Sequence, residues 1–230
     1  MKKVLRPAFL ATLPVMTGYL VLGFGFGLVL MDAGGSIPLA LAMSGFIYAG
    51  SMQYAAVSLL TEGAALFSAA LVTLMVNARH LFYGLSMLSK YRGMGGAKPY
   101  LIFALTDETY SLLCQEKLPV PETDRKAYCL LVSLLDHLWW VLGTLLGAAA
   151  GAVITISTEG VEFALTALFV TVLVEQWLTA EDRVPAMIGG SVSLLCLVIF
   201  GAADFLIPAM AGIALLLILY TDGRRVKRHE

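Results

Sequence analysis

The feature that most constrains this chain is the length of its uninterrupted apolar runs. Eight of them, Phe9–Met31, Ile37–Leu60, Ala64–Leu88, Pro99–Cys114, Ala127–Ile154, Val161–Leu178, Val184–Phe200 and Phe205–Tyr220, fill most of the 230 residues. A helix needs about 20 residues to cross about 30 Å of hydrocarbon, so most of these runs are of membrane-spanning size. Soluble domains hold about 45–50% apolar and about 25% charged residues, against 59% and 13% here. No water-facing fold of this length hides that much apolar surface, and the mean hydropathy of +0.85 agrees. Strand-type alternation is absent, which sets a β-barrel aside. The expected class is an all-α, polytopic integral membrane helical bundle.

Charge then orients the bundle. Lys2, Lys3 and Arg6 precede the first run, and Arg224, Arg225, Lys227 and Arg228 follow the last. By the positive-inside rule both termini face the cytoplasm, and the number of crossings is even. The apolar stretch after Arg6 continues to Met31 without a stop, so it reads as a retained first helix and not a cleaved leader. Eight full crossings would put the basic loop with Lys90, Arg92 and Lys98 outside. The repair is to fold Ile37–Leu60 as a re-entrant pair of half-helices and to leave Pro99–Cys114 as a second non-crossing piece, giving six to eight membrane segments. Gly23-x-x-x-Gly27 recurs 124 residues later as Gly147-x-x-x-Gly151. Such spacing lets helices approach closely; it also fits a single transmembrane domain, 1–230, duplicated as halves 1–115 and 127–220 around a midplane site.

Ionisable residues inside apolar runs cost about 2.5–3.5 kcal/mol at a helix centre on insertion scales, and they usually face a cavity or a partner. Asn77 and Arg79 fall near the middle of the third run. A guanidinium there suits a carboxylate through its paired donors, while the competing reading has Arg79 snorkelling toward Lys90. On a straight helix Asn77 and His80 share one face, and Arg79 and Tyr83 another. In the second run, Gly50 and Ser51 are positioned to unwind the helix among Tyr48, Ser51 and Gln53, leaving backbone groups free for a ligand. Thr17-Gly18 after Pro14 offers a similar break in the first. Asp107 with Glu108, and Asp136 with His137, are the candidate proton-coupling or ion-pairing groups, His80 with them. One alternative pairs Asp136 permanently with Arg79. Glu162, Glu175 and Gln176 read as interfacial, and Trp139, Trp140 and Trp177 as interface or packing aromatics. Cys114, Cys129 and Cys196 lack ligand spacing and read as small buried hydrophobes, so no metal or cofactor is expected. A net charge of −1 gives no field for nucleic acid. An enzyme is not expected either, because Ser51 with His80 or His137 lacks a Gly-x-Ser-x-Gly elbow.

Tyr48-Ala-Gly-Ser-Met-Gln-Tyr54, Val76-Asn-Ala-Arg-His-Leu-Phe-Tyr-Gly84 and Thr106-Asp-Glu-Thr109, in this order and spacing, resemble the AzlC family of bacterial branched-chain amino acid permeases. The resemblance implies export of valine, leucine and isoleucine across the inner membrane, together with a small AzlD-type membrane subunit. An apolar amino acid is a zwitterion with a greasy tail. Arg79, Gln53, Asn77, Tyr48 and Ser51 are the expected substrate ligands, with Phe24, Phe46, Tyr48, Met52 and Tyr54 as candidates for the pocket of the tail. Asp107, Glu108, Asp136, His137 and His80 are left for the ammonium group or the coupling proton. A passive channel and a non-transporting scaffold subunit are the competing classes.

Overall fold

The computed structural model describes residues 2–61, 63–115, 117–154, 170, 173–174, 177–178 and 182–227. Every regular element among them is helical. The chain divides into two compact units, Met1–Leu165 and Thr166–Glu230.

In the first unit, α1 (Lys2–Asp32) is followed by α2 (Ile37–Phe46), α3 (Gly50–Thr61), α4 (Leu66–Met87), α5 (Lys98–Phe103), α6 (Asp107–Leu113) and α7 (Arg125–Val153). Ser36 starts α2 by accepting a hydrogen bond from the Leu39 N–H, with Pro38 in the first turn, where its missing N–H costs nothing. Thr106 caps α6 in the same way, accepting from the Thr109 N–H. The second unit holds α8 (Val184–Asp204) and α9 (Leu206–Lys227), and Gly201, at φ 76°, kinks the end of α8. The sixth apolar run, with Glu162, Glu175 and Gln176, falls mostly outside the described residues.

Among the described residues α1, α7 and most of α8 are long and apolar enough to cross a membrane, and α4, bent by 45° between Leu74 and Arg79, is a fourth if its two halves form one span. The second and fourth apolar runs are each broken into two short helices, α2 with α3 and α5 with α6. At 1.5 Å per residue, the 10 residues of α2 reach only about half-way across the hydrocarbon. Large apolar side chains face outward along the helices, as Phe46 at 83% exposed, Leu66 at 87% and Val198 at 83% illustrate. That is the surface of a protein solvated by lipid.

The α1–α7 pair is the spine of the first unit. A Cβ built on Gly143 would lie 2.7 Å from the Tyr19 carbonyl, one on Gly147 would collide with the Phe24 backbone, and one on Gly151 would lie 2.9 Å from Met31. Contacts on both helices climb together, so the two run parallel. Gly23 and Gly27 are thus the other half of one groove: a Cβ on Gly23 would lie 2.8 Å from the Trp140 carbonyl, and one on Gly27 would meet the Ala148 backbone. The repeated glycines pack upon one another.

Parallel packing brings the starts of α1 and α7 to the same end. Val4 and Ala8 share a buried cluster there with Tyr91 and Met94 of the α4–α5 loop and with Tyr128 and Cys129 of α7. The Lys90 ammonium donates to the Cys114 carbonyl on the same side. The run expected as a re-entrant pair is thus two short helices, α2 and α3, meeting at residues 47–49.

Candidate functional site

Arg79 stands just past the bend of α4. Its guanidinium donates through one amino nitrogen to Asp107, the first residue of α6, and through the other to the Ser51 hydroxyl at 3.1 Å. Ser51 lies in the first turn of α3, whose first helical N–H bond runs from Gln53 to the Ala49 carbonyl. The N–H groups of Gly50, Ser51 and Met52 therefore lack acceptors within the helix and add partial positive charge beside the guanidinium. The sequence places the break at Gly50–Ser51; the structure puts it one step earlier, at residues 47–49. Tyr48 makes the turn at φ 45°, a conformation that residues with side chains seldom adopt. Gly50 is free to open α3 against Trp140, whose ring carbon would sit 2.9 Å from any Cβ there.

Asp136 on α7 is fully buried. Its partner is the Thr109 hydroxyl, 2.8 Å away, and not Arg79, so a permanent Arg79–Asp136 pair is ruled out in this structure. Thr109 bonds on to the Thr106 hydroxyl at 3.1 Å, Thr106 to the Tyr19 hydroxyl at 2.6 Å, and Tyr19 to the Glu108 carboxylate at 2.7 Å. Asp136, Glu108 and the α6 cap thus belong to one connected chain of polar contacts.

A second layer lies one turn further along α7. The Gln53 amide, fully buried, accepts from the Trp140 indole N–H at 2.9 Å and donates to the Ser44 hydroxyl at 3.0 Å, which itself bonds Thr144 at 2.9 Å. Gln53 therefore joins the break to α7 and is not directed at Arg79. His137 is held by the Ser44 carbonyl at 3.1 Å and the Tyr100 hydroxyl at 3.2 Å, and the Tyr48 ring stacks on it with centroids 4.1 Å apart. His80 stands apart from both layers, edge-on to Tyr83 at 5.9 Å. Phe46 points outward and lines nothing.

Of the ten expected site residues, Tyr48, Asn77, Arg79, Asp107 and Asp136 each carry a buried polar atom with no hydrogen-bond partner among the described residues. Unpaired polar atoms are costly in an apolar interior, and Tyr91, Arg125, Ser133 and Trp139 in the same unit each carry one as well. Tyr19, Ser44, Thr106, Thr109, Thr144 and Trp140 complete the network and escape a reading by charge. Hydroxyl residues are common enough in membrane helices that nothing in their spacing singles them out. Only Thr106, the cap of a short acidic helix, carries a local signature.

Residues 14–154 match the family described as AzlC protein. A relative in Bacillus subtilis, named branched-chain amino acid transport protein AzlC, is 41% identical over 90% of this chain and 82% of its own length. The chain belongs to the AzlC family. An uncharacterized membrane protein of Helicobacter pylori J99 is 39% identical over 95% of both chains, and inner membrane protein YgaZ of Escherichia coli is 32% identical over 70% of this one. No solved structure matches the chain significantly. The matched stretch of this AzlC family member runs from within α1 to the residue after α7, and so contains every site residue described above.

Proposed function

We infer that this AzlC family member is a secondary carrier that exports branched-chain amino acids across the bacterial plasma membrane, coupled to protons and working with a small AzlD-type membrane subunit. The observation that carries the reading is the Arg79–Asp107 pair, set between the bend of α4 and the first turns of α3 and α6, with unpaired acceptor and donor atoms on both partners. The naming of the Bacillus relative supports the substrate class.

An ion pair and a zwitterion can exchange partners without changing the net charge of the site. The substrate carboxylate takes the place of Asp107 on the guanidinium, and its ammonium takes the place of the guanidinium on Asp107. Both charges stay paired throughout, which is the condition for moving them through a medium that penalises isolated ions. The aliphatic tail then lies among Tyr48, Met52 and Tyr54, which are buried around the α2–α3 break. A pocket of this kind separates leucine from valine by only about 1–3 kcal/mol per methylene, so several aliphatic amino acids are carried.

The test is counterflow of labelled leucine in proteoliposomes, with and without the partner subunit. Native protein shows saturable uptake stimulated by internal leucine, which a passive channel does not. Arg79→Ala lowers it by about tenfold or more, the loss expected for a charge-assisted contact of about 1.5–3 kcal/mol. Unaltered counterflow in a folded Arg79→Ala protein overturns the site assignment.

A further inference from the structure

Five groups, Asp136, Thr109, Thr106, Tyr19 and Glu108, are joined by four consecutive oxygen–oxygen contacts of 2.8, 3.1, 2.6 and 2.7 Å. The contacts of 2.6, 2.7 and 2.8 Å each need a hydrogen between their oxygens, and a chain bonded at all four contacts needs a fourth at the 3.1 Å Thr106–Thr109 contact. The three hydroxyls supply three. With both end carboxyls ionised, the Thr106–Thr109 contact is left without a hydrogen and the chain is broken there. One proton on either carboxyl completes the set. With it on Asp136, every hydroxyl donates toward Glu108; with it on Glu108, every hydroxyl donates toward Asp136. The Thr109 backbone N–H donates to the Thr106 oxygen in both arrangements, and that oxygen's valence is filled in both.

We propose that Asp136 and Glu108 share a single proton, and that Thr109, Thr106 and Tyr19 are the path along which it passes between them. In the transfer the Asp136 O–H proton moves to the Thr109 oxygen, the Thr109 proton to Thr106, the Thr106 proton to Tyr19 and the Tyr19 proton to Glu108. Four O–H bonds break, four form, and one proton is translated without displacement of a heavy atom. Among the described residues, the other titratable groups close enough to Asp136 to interact with it are the Tyr48, Tyr100 and Tyr128 phenols, from the α2–α3 break, α5 and α7. His137, its neighbour on α7, is engaged by Ser44 and Tyr100. Arg79 is committed to Asp107, so among the described residues no ion pair fixes Asp136 in its charged form. The second Asp136 oxygen is buried and unpartnered, and provides the point at which a proton arrives. Glu108 follows Asp107 directly, so the proton's position sets the charge beside the ammonium of a bound substrate. That last step rests on the carrier reading; the shared proton does not.

Thr109→Val and Tyr19→Phe remove one hydroxyl each while keeping shape and both carboxyls. In proteoliposomes, leucine accumulation driven by a pH gradient falls by about tenfold or more in either variant, the usual weight of a positioned proton-transfer group. The ratio of accumulation to counterflow, which needs no net proton movement, falls by the same factor, and Thr109→Ser restores it. Native-like accumulation in both variants overturns the relay. If the native protein counterflows leucine but ignores the pH gradient, or carries none, the transport reading fails by itself. Infrared spectroscopy of the purified protein then decides the relay: a protonated-carboxyl C=O band at neutral pH, abolished in Asp136→Asn/Glu108→Gln and shifted in Thr109→Val, supports it. A missing or unshifted band overturns it.

Discussion

Arg79 serves a carboxylate and a hydroxyl at once through its two amino nitrogens, a geometry that a single ammonium cannot reproduce. Arg79→Lys keeps the charge and loses the fork, so counterflow falls by about tenfold even though Asp107 retains a cation. Equal transport by Arg and Lys at this position shows that charge alone matters. Gln53 acts in the opposite way, within the scaffold. Replacing it with Leu strands the Trp140 N–H, and the buried protein loses about 1–3 kcal/mol of stability, read as a lower midpoint of thermal unfolding in detergent. At this scale the charged half of the site was legible, because lipid makes every Arg, Asp and Asn in an apolar run conspicuous. Gln53, an expected ligand, has its amide spent on Trp140 and Ser44, since a sequence gives the donors and acceptors of a side chain and not their direction. Tyr19 lies 87 residues from Thr106, a contact that only the packing of α1 reveals.

Close approach is what holds the elements in register. Gly147→Ala drives a methyl group into the Phe24 backbone, which cannot give way as a flexible side chain would, so α1 and α7 move apart at a cost of about 1–3 kcal/mol. Gly45→Ala supplies the contrast: nothing lies within 4 Å of its Cβ, and the better helix former is neutral or stabilises α2 by up to about 1 kcal/mol. Thermal unfolding of the two variants side by side checks the claim, and equal midpoints would show that the α1–α7 groove is slack. The glycine spacing in the two helices was visible in the sequence, but spacing alone does not distinguish two copies of a motif from two faces of one contact. The break beside Gly50–Ser51 was visible in the sequence, but the similar break expected at Thr17–Gly18 is absent, since α1 runs unbroken from Lys2 to Asp32 and small residues also serve close packing. The 45° bend of α4 has no Gly or Pro to announce it and went unread. It frees Arg79 and Asn77 from the fixed angular relation of a straight helix.

Across the whole molecule, burial and charge agree on orientation. The starts of α1 and α7 and the loop between α4 and α5 gather at one end of the first unit, and Lys3, Arg6, Lys90, Arg92, Lys98, Arg125 and Lys126 all belong to those stretches. By the positive-inside rule a basic cluster on one side of an apolar body is expected to face the cytoplasm, and the α1–α2 turn is then expected outside. With the native cysteines replaced, Ala33→Cys reacts with an impermeant maleimide added to intact cells, whereas Arg92→Cys reacts only after the membrane is opened. The opposite pattern inverts the protein. Reaction of both from the same face would mean that α2 and α3 together cross the bilayer and that α1 and α4 are not the sole passages before the basic loop. The positions discriminate because both are exposed, while the groove between α1 and α7 ties the two ends to opposite faces. A bilayer-crossing α2–α3 pair would also carry Tyr48 and Ser51 away from the polar layers that Asp136 and Gln53 define, so the labelling experiment tests the site's location as well as the fold's direction.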